Sequence, residues 1–487
     1  MTSVAALPTI IQGGMGVAVS NWRLARAVSL RGQLGVVSGT ALDTVLMRRL
    51  QDGDPGGHMR RAMTRFPIPG VAATALERFF LKDGRPAGEP YKLLAMYKQK
   101  VSSERQQLTM LANFVEVSLA KEGHDGVVGL NLLTKVQMPT LASLYGAMLA
   151  GVDYILMGAG IPREIPGALD ALSHHGTASL RFDVEGLPAA EPLHLTLEPE
   201  ELGADTDAPL KRPAFLPIIS ASSLATTLAR KANGSVEGFI VEGPTAGGHN
   251  APPRGEPRFN DRGEPLYGDR DVVDLDKLRD LQLPFWLAGG TGSPTRLADA
   301  LSAGATGIQV GTLFAFCEES GYADHLKRDV LDHAARGDIE VITDPRASPT
   351  GYPFKVVSWA GDETSTRTRE RKCDLGYLRV AYKRDDGRVD YRCAAEPVAD
   401  YVRKGGLESD TVGRRCLCNA LTSNIGQAQP RAGADDEPPL LTSGDDLVSI
   451  AAFLGERTEY VADDVIDYLL GLPGPVSVGN QLEEALG

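Results

Sequence analysis

The chain has 487 residues, 43% hydrophobic and 23% charged, with a net charge of −13 at neutral pH. That length exceeds one minimal core and implies two domains, or one large barrel with additions. The acidic balance excludes a nucleic-acid groove or an anionic membrane surface as partner.

The start, MTSVAALPTI, lacks the basic residues and long apolar run of a secretory signal. The most apolar stretch, LYGAMLAGVDYILMGAGIP, carries Asp153 and several glycines, and reads as helix, turn and strand rather than a membrane span. Five cysteines in so long a chain are no disulfide framework, and a reducing cytoplasm is expected.

In chain order, TIIQ (9–12) predicts a strand, NWRLARAVSLRG (21–32) a helix capped at Asn21 and stopped at Gly32, and LGVVSG (34–39) a second strand. Residues 40–125 are too many for a loop and form an insertion, with a glycine- and proline-rich break at KDGRPAGEP. The alternation resumes with GVVGLNLL (126–133), a helix around TLASLYGAMLAG, and VDYILMG (152–158). A charged excursion over about 172–213 contains LHLTLEPEEL, one arm of a peripheral hairpin. Core strands recur at AFLPIIS (214–220), VEGFIVEG (236–243), LPFWLAGG (283–290) and TGIQVGT (306–312). Helices are expected at 222–233 and at SPTRLADALSAG. Eight strands alternating with helices predict an α/β fold, a (β/α)8 TIM barrel over 1–335. A doubly wound open sheet is the alternative. Residues 336–487 form a C-terminal extension: a charged, irregular, cysteine-bearing part to about 428, a break at PRAGADDEPPLLTSGDD, then helical LVSIAAFL and DVIDYLLGL.

Two strand ends carry glycines where a helix begins. LAGGTGSPTRLADAL places Gly289 and Gly290 there, and IQVGTLFAF places Gly311 and Thr312 there one unit later. Bare amides at a helix start bind an anion, and the loops after strands seven and eight of a barrel commonly hold phosphate. The alternative is a pair of tight turns without a ligand. GGMGVAV half resembles a dinucleotide fingerprint, but its third small residue is missing and no acid ends the second strand.

IIQGGMGV, GLNLL, VEGPTAGGHN and LAGGTG with IQVGTLFAFCEESG together resemble the FMN-dependent nitronate monooxygenases, also called 2-nitropropane dioxygenases. Flavin-dependent enoyl-acyl-carrier-protein reductases share this barrel and its glycine-glycine-histidine turn. The resemblance implies FMN as cofactor. It places Gly14 and Met15 beside the isoalloxazine, Asn131 on the ring's polar edge, and Gly289, Gly290, Gly311 and Thr312 at the phosphate. His249 lies at the reactive face, with Gly247 and Gly248 turning the backbone beneath the ring. Glu242 stands where the family usually has Gln and Thr245 where it has Glu, and an acid near the pyrimidine edge changes the field on the ring.

An imidazole of ordinary pKa exchanges protons at neutral pH. His249 is therefore expected to take a proton alpha to a nitro group, to steady an anionic nitronate as a cation, or to protonate an enolate-like carbon. Three functions stay open. The first is oxidation of alkyl nitronates with O2. The second is reduction of enoyl thioesters with NAD(P)H in fatty-acid or polyketide synthesis. The third is a non-catalytic flavin-binding scaffold. The partner is a small-molecule substrate, with a homodimer possible.

Cys373, Cys393, Cys416 and Cys418 crowd into the extension, and four thiolates can make a structural zinc site. An iron–sulfur cluster and buried free thiols are the alternatives. The 40–125 insertion leaves the active-site face of the expected barrel, so it is a lid or a helical arm, with Tyr91 and Tyr97 as possible substrate-lining residues.

Overall fold

A computed structural model describes residues 7–188, 190–362, 369–431, 433 and 435–473. Eight parallel strands form one sheet: β1 (Ile10–Gln12), β2 (Gly35–Ser38), β3 (Val128–Leu133), β4 (Tyr154–Gly158), β5 (Ala214–Ile219), β6 (Phe239–Glu242), β7 (Phe285–Ala288) and β8 (Gly307–Val310). Each pairs with its neighbour in chain order, and β8 returns to pair with β1. A parallel bridge between Ile11 and Leu34 joins β1 to the start of β2, with Gln12 N–H donating to Leu34 O at 2.9 Å. This near-closed cylinder is the predicted TIM-type barrel rather than an open sheet. Its interior is filled by Ile11, Leu34, Val36, Leu156, Leu216, Ile240 and Trp286, all almost wholly buried. The Trp286 indole donates to Pro8 O at 2.8 Å.

Outside the cylinder, α1 (Trp22–Leu30) begins where expected, the Asn21 side chain accepting from the amides of Arg23 and Leu24. It lies so close to β2 that a Cβ on Gly35 would run into Ala25 O. The 40–125 insertion holds α2 (Leu42–Gln51), α3 (His58–Met63), α4 (Val71–Phe79) and α5 (Ser103–Ala120). Helix α5, capped by Ser102, packs on α1 and on α6 (Thr140–Leu149), so it takes the place of the outer helix between β2 and β3. The apolar faces of α2 to α4 join the same flank cluster. Of residues 40–125, Thr40 is the one that lines the large cavity described below. Tyr91 and Tyr97 are buried elsewhere: Tyr97 lies under the Arg105 guanidinium at 4.2 Å, and Tyr91 donates to Asp52 at 2.8 Å.

The excursion forms the expected hairpin, Ala178–Phe182 antiparallel to Leu193–Leu197. Its Val184–Glu185 extends a small sheet of the extension, Val380–Lys383 with Val389–Arg392. A buried ionic cluster also ties the insertion to the extension. Asp43 accepts from Arg105 at 2.5 Å, from Thr109 at 2.9 Å and from the Tyr377 hydroxyl. Burial pushes the Asp43 carboxyl up, but Arg105 and the hydrogen bonds outweigh it and leave the carboxyl below its ordinary value. Farther on, Leu447, Ile450, Phe453, Val465 and Ile466 pack into the same cluster as Ile10 and Ile308 of the barrel. No helix among the described residues is long and apolar enough to cross a membrane.

Candidate functional site

The C-terminal ends of the barrel strands open onto one cavity, with about 1290 Å3 free of protein atoms, solvent at its mouth included. It is lined by residues that end or follow β1 (Gly14, Met15), β3 (Asn131), β6 (Glu242, Gly247, Gly248, His249), β7 (Gly289, Gly290) and β8 (Gly311, Thr312). Every cavity residue expected from the sequence is therefore brought to one place.

The glycines have steric reasons. Gly248, Gly289 and Gly290 have φ of +77°, +89° and +67°, which side chains of L-residues rarely adopt. A Cβ on Gly289 would stand 2.8 Å from Ala246 N, and one on Gly14 would overlap Asn131. Met15 N–H is held by Ser20 Oγ at 2.9 Å, which fixes the loop after β1. The amides of Gly290 and Gly311 donate to no protein acceptor among the described residues.

Two amide side chains are left incomplete. Asn131 donates to Gly14 O at 3.1 Å, and its Oδ1 is buried without a partner. Gln309 Oε1, on β8, is likewise buried and unpartnered. Both residues line the cavity. Buried acceptors of this kind require a donor, and a flavin's ring supplies one. Orphaned acceptors and free amides on one cavity fit the ring and phosphate of an FMN. Gln309 carried no sequence signal, because only the pleat of β8 decides which way it faces.

His249 is held from outside the barrel. Its backbone bridges to Phe354, with Lys355 N–H donating to Gly248 O and Asn250 N–H to Pro353 O, each at 2.9 Å. The ring stands edge-on to Phe354, centroids 4.8 Å apart. Nε2 shares a hydrogen bond with the buried Ser348 hydroxyl at 2.7 Å, and Ser348 shares another with Thr350 at 2.8 Å. Burial, and then the charge of Lys135, push the imidazole down to about 4. It is neutral at pH 7, so the cationic role expected from an ordinary histidine is not available until an anion binds beside it. Glu242 moves the opposite way. Burial pushes its carboxyl up to about 8, so at neutral pH it is mostly an uncharged hydrogen-bond donor.

The segment that sequence reading treated as a break also reaches this site. Thr442, Ser443, Gly444 and Asp446 line the cavity. Gly248 N–H donates to Thr442 Oγ1 at 3.0 Å, Gly444 N–H to Thr312 Oγ1 at 3.1 Å, and Gly292 N–H to Asp446 Oδ2 at 3.1 Å. Lys355, 5% exposed in its side chain, pairs with Asp445 at 2.5 Å. The Thr-Ser-Gly-Asp-Asp turn signal was present, but nothing local shows what a turn packs against.

The four extension cysteines do converge: Cys373, Cys393, Cys416 and Cys418 line one small cavity with Arg379 and Glu396. All are free thiols. Among the described residues, however, no group of three or more His, Cys, Asp or Glu side chains is placed to hold a metal ion. The zinc reading is corrected to its free-thiol alternative, with Cys416 buried and the other three half-buried. Burial pushes Cys373 up to about 12 and raises the other three, which keeps them protonated and uncharged at neutral pH.

Over residues 204–349 the chain matches the sequence model of the nitronate monooxygenase family. It is 32% identical over 162 residues to a nitronate monooxygenase of Paraburkholderia phytofirmans. That alignment covers 33% of this chain and 40% of the relative. Among solved structures, FabK from Thermotoga maritima aligns over 96% of this chain and 93% of its own, at 15% identity and a TM-score of 0.47. A nitroalkane oxidase from Streptomyces ansochromogenes aligns over 95% of each chain, at 14% identity and a TM-score of 0.44.

Proposed function

We propose that this chain is an FMN-dependent oxidoreductase that oxidises alkyl nitronates with O2, its barrel spanning 1–335 and its extension 336–487. The carrying observation is the cavity at the C-terminal mouth of the barrel. There the β6, β7 and β8 ends, all inside the stretch resembling nitronate monooxygenases, place His249 and the two glycine turns around one space.

Gly289, Gly290, Gly311 and Thr312 would hold the FMN phosphate. Asn131 and Gln309 would meet the polar edge of the ring, and Gly14, Met15, Gly247 and Gly248 its surroundings. FMN when bound supplies the electron chemistry. The protein's part is to bind, orient and move protons. The exposed Lys135, whose charge acts on His249, draws an anionic substrate toward the mouth. The neutral His249 ring, fixed by Ser348, offers a hydrogen bond to the nitronate, which arrives already stripped of its α-proton. A bound anion raises its proton affinity, so the ring can hold a proton beside the nitronate's charge.

A second reading, enoyl-thioester reduction with NAD(P)H, is favoured by one observation. Glu242 is protonated at neutral pH and lines the cavity, so it supplies the proton that the α-carbon needs.

Anaerobic stopped-flow separates the readings. Bleaching of the flavin by propyl nitronate, but not by NAD(P)H, supports the first, and the reverse supports the second. Bound FMN bleached by neither leaves a flavin-binding scaffold. Colourless protein that cannot be reconstituted with FMN overturns all three.

A further inference from the structure

The 442–446 segment joins the extension to the glycine turns so tightly that it has to be counted with the site. The contacts run to both turns and to the histidine loop. A Cβ on Gly444 would stand 2.9 Å from Thr245 O and from Thr312 Oγ1, and one on Gly247 would stand 2.8 Å from Gly444 N. Asp446 takes the amide of Gly292 just before the helix Pro294–Ser302. Tyr322 holds the segment from behind, its hydroxyl donating to Thr442 O at 3.0 Å. At Gly247 and Gly444 there is no room for a side chain between this strap and the turn.

The hydroxyls show that the strap leaves something unfinished. Thr312 and Ser443 are 5% and 4% exposed, and both line the cavity. Their oxygens lie 3.3 Å apart, in a bond that uses one of their two hydrogens. Gly444 N–H occupies an acceptor position on Thr312 as well. The second hydroxyl hydrogen has no protein acceptor among the described residues. A buried donor beside the free amides of Gly290 and Gly311 calls for an acceptor from a ligand.

We infer that the strap Thr442–Asp446 of the C-terminal extension is a wall of the phosphate site: it aims the Thr312–Ser443 hydroxyl pair at a terminal phosphomonoester and closes the space beyond it. The inference rests on the FMN reading above and specifies which flavin is taken. A phosphomonoester ends where the strap begins, so FMN fits. FAD carries an adenylate past that point, and would have to displace Ser443 and Gly444. Riboflavin lacks the phosphate and leaves the hydroxyl hydrogen unpaired.

The test is titration of the flavin-stripped, full-length protein with riboflavin, FMN and FAD, followed by flavin fluorescence. Wild type is expected to bind FMN at least about 100-fold more tightly than riboflavin or FAD, since losing a charge-assisted phosphate network costs a few kcal/mol. Gly444→Ala pushes the strap off Thr245 and Thr312, and Ser443→Ala removes one hydroxyl. Each is expected to cut the FMN-to-riboflavin affinity ratio by about tenfold, with riboflavin affinity itself little changed. A strap that merely stabilised the fold would weaken both flavins together. If Gly444→Ala does not fold, Ser443→Ala, which only deletes an oxygen, carries the test. An unchanged ratio in folded variants that still bind FMN overturns the strap assignment and leaves the FMN reading standing. Wild type that binds no flavin overturns both.

Discussion

Glu242→Gln tests the electrostatics of the cavity most directly. The wild-type carboxyl is pushed up to about 8 by burial, against an ordinary 4.5. The folded protein therefore holds this proton at pH values where the unfolded chain has lost it. A folded pKa raised above the unfolded one contributes stability that is complete below the unfolded value and lost as pH rises through the folded value. Between pH 5 and 7 this group should cost the fold about 1.4 kcal/mol per pH unit, hence about 3 kcal/mol over that interval. Gln keeps the shape and cannot ionise. The stability of Glu242→Gln relative to wild type should climb by that amount between pH 5 and 7, by about 1 kcal/mol more to pH 8, and level off above it. Chemical denaturation of both flavin-free proteins at pH 5, 6, 7 and 8 measures it, with the difference between them cancelling the other titrating groups. A difference that stays flat across the series would refute the claim that Glu242 is held neutral.

Four other predictions concern the histidine, its serine partner, the glycine turns and the buried ion pair. His249→Ala should retain bound FMN and lose about 10²- to 10⁴-fold in turnover. Ser348→Ala should alter the pH profile of kcat/KM without releasing flavin and Ser348→Thr should restore it; equal profiles in all three proteins would remove Ser348 as a positioning residue. Gly248→Ala adds a Cβ into open space at φ +77° and should cost about 1 kcal/mol of strain alone. Gly289→Ala, which also meets Ala246 N, should lose more stability and most of its flavin, read by melting and by flavin content. Asp43→Ala strands Arg105 in a buried site and should destabilise the protein by about 3–5 kcal/mol, whereas Asp43→Asn with Arg105→Met should recover much of that loss in denaturant melts.

The sequence by itself determined what local chemistry determines. Runs such as GVVGLNLL and LPFWLAGG announced the strands, Asn21 announced a helix start, and Gly248, Gly289 and Gly290 marked turns that only glycine makes readily. Because the barrel strands follow chain order, their alternation also disclosed where their C-terminal ends meet, and with them the cavity residues.

Tertiary structure decided whatever depends on neighbours far along the chain. The imidazole of His249 is ordinary in sequence, and becomes neutral because Phe354 and Ser348 enclose it and Lys135 stands near. Glu242 looks like a charge and is held uncharged by burial. Four cysteines suggested metal ligands, yet they converge as protonated thiols without a ligand set. The extension reads as a charged, broken tail, and its Thr442–Asp446 strap nevertheless lies across the turns at the ends of β7 and β8. Periodicity reports which face of a segment is apolar. It carries no record of what that face meets, and burial, proton affinity and the closing of a binding site are set by that meeting.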